Sequence, residues 1–214
     1  MKRSLVAVVG LCLSLTLCEA KTQKPLFVSP DLNPAQIDRI DVFVVDLNND
    51  SANDRECIGG VEVGTFNGGG GVDQTLPRRG YNKSKKLRTR FYVAPITLSE
   101  TMLSNPTKEW LQDLANRKYS EKSKDIPPPG RWIMIVTIDE LGSRENAIKG
   151  LGRGSLSMYL YDRDQGTLLW RDHAVSEHMW GGLLGNVMDK GATKQMYCST
   201  LVGEMVMKLP KRKK

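Results

Sequence analysis

The chain has 214 residues, 40% of them apolar, and a formal charge of +7. That is enough for a single domain with one real core. Its four cysteines include no CxxC pair, which leaves no zinc site built on them.

Met1-Lys2-Arg3 is a basic start, Leu5 to Leu17 an apolar run, and Cys18-Glu19-Ala20 offers small residues for cleavage before Lys21. Residues 1–20 read as a signal peptide, since a bilayer span needs about 20 apolar residues. Cys18 is the candidate for acylation by the lipoprotein route, although Leu17 stands where that route takes a small residue. Cleavage after Ala20 leaves Cys57 and Cys198, an even pair in an oxidising compartment. Two readings stand: a disulfide tying an early loop to the C-terminal helix, or two buried, unpaired thiols.

Residues 21–36 carry three prolines and no periodicity, and read as an extended lead-in. A single α/β domain is expected over 37–209. Ile40–Leu47 (IDVFVVDL) is a β-branched, largely buried strand, closed by the loop cluster Asn48-Asn49-Asp50-Ser51. Residues 57–90 read as a Gly-rich, basic insert. The run Gly68–Gly71 predicts a mobile loop, and neither GxGxxG nor Gly-Lys-Ser/Thr is present to cradle a phosphate.

The insert ends in the most basic window of the chain, where Arg78, Arg79, Lys83, Lys85, Lys86, Arg88 and Arg90 occur without an acid. With Tyr81, Phe91 and Tyr92 interleaved, such a window can bind nucleic acid through phosphates and stacking. Export makes an anionic lipid surface the more accessible partner, at about 1 kcal/mol per Lys or Arg. No nucleic acid is expected. A solvated loop without a dedicated partner is the plainer alternative.

Phe91–Ile96 is a second strand ended by Pro95. Asn105-Pro106 then starts a helix that runs to about Lys118, with Trp110, Leu111 and Leu114 on one stripe. A triple-proline connector, 120–130, leads into the central strand Arg131–Leu141. Both of its alternating sets are apolar: Trp132, Met134, Val136 and Ile138 on one side, Ile133 and Ile135 on the other. Burial on both faces follows.

The next stretch alternates and forms a hairpin. Leu156, Met158 and Leu160 point one way, and Ser155, Ser157, Tyr159 and Tyr161 the other. Residues 162–166 (DRDQG) supply the turn, and Leu168 and Trp170 resume the apolar face. After a small-residue turn at 181–185, a helix from about Ala192 to Lys208 buries Met196, Tyr197, Leu201, Val202, Met205 and Val206. Pro210 stops it before the basic tail 210–214. The expected fold class is α/β (α+β): a mixed β-sheet with a central buried strand, a hairpin in the C-terminal half, and two or more packed helices.

Chemistry-bearing residues are few. His173 and His178 sit five apart, so a strand sends them to opposite faces. Asp139-Glu140 reads as a solvated strand end. No GxSxG occurs, and neither a metal nor another cofactor is called for. Asn49-Asp50-Ser51 and Asn82-Lys83-Ser84 match the glycosylation pattern, which matters only in a eukaryotic host. No catalytic residue is assigned.

The strand 40–48, the run Phe91–Ile96, the core Trp132–Ile138 and the Asp…Gly-x-Leu-Leu-Trp hairpin at 160–170 together resemble CsgG/LpoB-like bacterial envelope lipoproteins. Within that group the likeness is to a branch of small conserved lipoproteins. The family carries a helix where this chain has its insert, 57–90. The resemblance implies an α/β domain on the periplasmic side of the outer membrane. It would assist assembly or secretion through an envelope protein, the membrane surface or other copies of itself, and would not be an enzyme. The alternative is an exported ligand-binding or hydrolytic domain using His173, His178 and nearby acids.

Overall fold

A computed structural model describes residues 25–47, 51–63, 70–83, 91–93, 98–116, 130–146, 149–181 and 190–212. The leader with Cys18, the basic residues Lys85, Lys86, Arg88 and Arg90, and most of the proline connector lie outside the described residues, as does the turn after Gly181.

In chain order the elements are β1 (Phe27–Val28), a 3-10 turn (Pro34–Gln36), β2 (Ile40–Asp46), α1 (Ser51–Glu62), α2 (Val72–Arg79), β3 (Phe91–Val93), α3 (Glu100–Ser104), α4 (Lys108–Asn116), β4 (Trp132–Asn146), β5 (Lys149–Asp162), β6 (Thr167–Gly181) and α5 (Lys190–Lys208). Among the described residues the sheet has six strands in the order β1-β6-β5-β4-β2-β3. β2 runs parallel to β3 and β4, and the other pairs are antiparallel. This is the expected α+β class with a mixed, open sheet.

The two-sided pattern of β4 explains the layering. Trp132, Met134, Val136 and Ile138 join Leu156, Met158 and Leu160 in a core covered by α1, α2 and α5. Ile133 and Ile135 join Tyr159 and Tyr161 in a second core under α3 and α4. β2 is read the same way, with Val42 and Val44 on the first side and Phe43 and Val45 on the second. Helices therefore lie on both faces, as strands apolar on both sides require.

Several expectations are corrected. The Gly-rich insert is not a loop where it is described: Cys57–Glu62 belongs to α1, and Val72–Arg79 forms α2 with Gly71 as its N-cap. The lead-in contributes a short edge strand, β1, paired to Arg171 and Trp170. The helix expected at Asn105-Pro106 starts two residues later, because Thr107 Oγ1 caps the Trp110 N–H. An additional short helix, α3, is capped by Ser99.

The hairpin turn is set by Asp162, whose Oδ1 accepts the N–H of Asp164 and of Gln165, with Gly166 at φ +67°. A bulge follows. Leu160 pairs with Trp170 but Tyr161 with Leu168, so Leu169 is the extra residue and joins Trp170 in the first core. Leu168 falls on the opposite side from Trp170, contrary to simple alternation. The strands of the meander are also longer than the apolar pattern suggests. β4 runs on to Asn146 and β6 to Gly181, whereas β2 pairs β4 only as far as Ile138.

Candidate functional site

Three assemblies of polar or reactive side chains stand out: a covalent clamp, a basic seam and a Ser–Asp–His cluster. The clamp joins α1 to α5. Cys57 and Cys198 are fully buried and form a disulfide with Cα atoms 5.3 Å apart, 141 residues apart in sequence. Close approach of the helices is permitted by Gly60, where a Cβ would stand 2.2 Å from the Gln195 carbonyl oxygen. The glycines of this stretch thus serve contact, not freedom of the chain.

The seam lies where the end of α2 meets the C-terminal tail. Arg212 donates its backbone N–H to the Arg79 carbonyl at 2.9 Å. The Arg79 guanidinium in turn donates through Nε and Nη2 to the Leu209 carbonyl, and the Tyr81 hydroxyl donates to that of Pro210. Gly80 sits between them at φ +100°, with the Arg212 carbonyl oxygen 2.9 Å from where a Cβ would be. Only glycine meets both conditions. Burial pushes the Tyr81 phenol up to about 12, although Arg79 and Arg212 pull it down.

This arrangement sorts the basic window. Arg79 is half-buried, and its guanidinium holds the tail. Arg78 and Lys83 are exposed, as is Lys211, while Arg212 is half-buried. Tyr81 is wholly buried and cannot stack on a base. Asn82 is 5% exposed and its Nδ2 donates to the Ile40 carbonyl, so this asparagine is no glycan acceptor in the folded chain. Asn49 lies outside the described residues.

The third assembly was not anticipated. Ser157 on β5 pairs in register with Thr137 on β4 and His173 on β6, and all three side chains share a face. Asp139 reaches them because it is the extra residue of a bulge between Ile138 and Glu140. Ser157 Oγ donates to Asp139 Oδ2 at 2.6 Å, and Thr137 Oγ1 donates to Oδ1 at 2.5 Å. His173 Nδ1 lies 3.0 Å from Ser157 Oγ and 3.4 Å from Asp139 Oδ2. The serine has one proton and gives it to the carboxylate.

Asp139 is accordingly part of a hydrogen-bonded cluster, not the solvated strand end that the sequence suggests. The order of the three groups differs from a nucleophilic relay, in which histidine stands between hydroxyl and carboxylate. Here the hydroxyl stands in the middle with its proton already committed. The His173 side chain is 36% exposed, and His178 pairs further along β6, opposite Gly152. Beside the cluster, Arg171 bonds Glu100 and Ser104 and stacks over Tyr159, whose phenol burial pushes up against the pull of Arg171.

An open pocket of about 580 Å³ is lined by Gln36, Asp38, Arg39, Gly130, Arg131 and Trp132. Its two guanidiniums are already matched, Arg39 by the buried Asp41 and Arg131 by a two-pronged bond to Asp162. Among the described residues no three His, Cys, Asp or Glu side chains are placed to hold a metal ion, and no helix is long and apolar enough to cross a membrane.

No family model matches the chain, and no curated protein matches it. Among solved structures, the chain is similar to the PelC dodecamer from Paraburkholderia phytofirmans at 12% identity, over 88% of this chain and 96% of that one, with a TM-score of 0.44. It is also similar to lipoprotein GNA1162 from Neisseria meningitidis at 15% identity, over 78% and 99% of the two chains, with a TM-score of 0.36. A third likeness is to the hypothetical protein CT253 from Chlamydia trachomatis, at 11% identity, over 80% and 91%, with a TM-score of 0.29. At these identities and scores the likeness carries neither a residue role nor an activity to this chain.

Proposed function

We propose that this chain is an exported accessory protein of the bacterial cell envelope, which performs no chemistry and acts in assembly or secretion through contacts. The observation that carries the reading is the buried Cys57–Cys198 disulfide. Such a bond persists in oxidising compartments and is rare in the cytosol of mesophiles. The basic start and apolar run of residues 5–17 support the same route. The motif resemblance supports the periplasmic face of the outer membrane as the destination, with other copies of the chain among its partners.

Intact-mass analysis of the protein from its native cell tests this. Cleavage after Ala20 or acylation at Cys18, together with two thiols lost to a disulfide, is the expected result. A retained Met1 with both thiols free overturns it.

A second reading is favoured by the Asp139–Ser157–His173 cluster, a polar site of the kind a ligand-binding or hydrolytic domain uses. His173 is the histidine of this cluster. Turnover of a panel of activated esters and phosphate esters, abolished by His173→Ala, would establish it in place of the first.

A further inference from the structure

We infer that the seam between α2 and the C-terminal tail is one composite cationic face that docks on an anionic phospholipid surface. The sequence places Arg78 and Lys83 far from Lys211 and Arg212. The fold joins them: the Arg212 N–H bonds the Arg79 carbonyl, Arg79 and Tyr81 hold the carbonyls of Leu209 and Pro210, and Arg212 packs on Gly80. Among the described residues, no ion pair neutralises Arg78, Lys83, Lys211 or Arg212, in contrast to Arg39, Arg131, Arg171 and Lys208. The sequence has no acid between Arg78 and Arg90, nor between Lys208 and Lys214.

Two features favour lipid headgroups over a nucleic acid. Single-stranded nucleic acid is held by aromatic platforms as well as charge. Tyr81, the aromatic of this seam, is fully buried with its hydroxyl engaged. Cations without an ion pair, and without a stacking ring among the described residues, suit a diffuse anionic surface, where each Lys or Arg adds to attraction; of the four, Arg212 also donates through Nη2 to the Ala35 carbonyl at 3.3 Å. The choice of a membrane also rests on the exported reading above, because an exported chain meets lipid headgroups and not chromosomes.

The test is co-sedimentation of the processed, disulfide-bonded protein with vesicles. Mixed phosphatidylglycerol–phosphatidylcholine vesicles should retain it, and pure phosphatidylcholine vesicles should not. Each neutralised cation should cost about fivefold in affinity, so Arg78→Gln/Lys83→Gln and Lys211→Gln/Arg212→Gln should each lose on the order of 25-fold. Retention should also fall as salt rises. Tyr81→Phe keeps every charge but frees the Pro210 carbonyl, and should weaken retention if the tail must be held against α2.

Unchanged retention by the tail double variant, with its circular dichroism intact, overturns the composite face. Equal retention by neutral vesicles overturns the electrostatic basis, and tighter binding to a DNA oligonucleotide at the same salt overturns the choice of partner. The two readings can fail separately. A cleaved, disulfide-bonded chain that ignores anionic vesicles sinks this inference alone. A chain that binds vesicles as expected but keeps Met1 and free thiols sinks the exported reading alone.

Discussion

The side chain of Asn82 closes a two-bond ring on the backbone of Ile40: Oδ1 accepts the Ile40 N–H at 2.8 Å and Nδ2 donates to the Ile40 carbonyl at 2.9 Å. One amide thus finishes the first residue of β2 as a neighbouring strand would. To do so, Asn82 takes a φ of +47°, which asparagine tolerates better than most residues. Asn82→Ala leaves a buried N–H and a buried carbonyl without partners and keeps the unfavourable φ. A loss of about 2–4 kcal/mol in unfolding free energy is expected. Denaturant titration checks this, and a change below about 0.5 kcal/mol contradicts the ring's role.

The disulfide should dominate stability. Closing a loop of 141 residues corresponds to about 5 kcal/mol in the chain-entropy picture, an upper figure. Cys57→Ser/Cys198→Ser should lower the thermal midpoint steeply. The same shift should appear when the native protein is melted in reductant, and a melt indifferent to reductant would contradict it.

Gly60→Ala probes the contact beneath that bond. A methyl group there would stand 2.2 Å from the Gln195 carbonyl oxygen, a backbone atom with little room to yield. α1 and α5 must then separate. The change should destabilise by about 1–3 kcal/mol, against the helix propensity gain that alanine normally brings. A stabilised variant would show that the helices do not meet so closely.

Glu62 supplies a pH dependence with a definite sign. Burial first, and the nearby Asp73 carboxylate second, push its pKa above the usual value. The folded chain therefore holds its proton more tightly than the unfolded chain, and the stability this confers is lost as pH rises from the ordinary carboxyl range through the raised value. Glu62→Gln should stabilise the protein at neutral pH and make no difference in acid. Equal effects at both pH values would contradict the assignment.

At the alkaline end Tyr81 acts in the same direction. Its phenol, pushed up to about 12, stays protonated in the folded chain while an unfolded tyrosine ionises near 10. Stability should fall as pH climbs between those values, and tyrosinate absorbance should appear in step with unfolding. A Tyr81→Phe variant should lose part of that slope.

Much of the fold was legible because burial writes itself into periodicity. β4 is apolar in both alternating sets and proved to be covered on both faces; β5 alternates and sends Met158 and Tyr159 to different cores. The helices of the Gly-rich stretch were not legible. Gly59 and Gly60 argue against a helix on propensity, and only the partner surface of α5 shows why they are there.

The Ser157 cluster was hidden for another reason. Its members come from three strands, and the meeting depends on the register of β5 with β6 and on one extra residue in β4. Sequence alternation can place Ser157 and His173 on faces. It cannot say that they stand side by side, or that Asp139 is displaced toward them.

The bond between Cys57 and Cys198 encloses β3, β4, β5 and β6 within one covalent circle. A protease that severs the backbone anywhere inside that circle therefore releases nothing. Both pieces travel as a single particle until a reductant opens the ring, so a nicked copy would look intact by size and betray its cut only on a reducing gel.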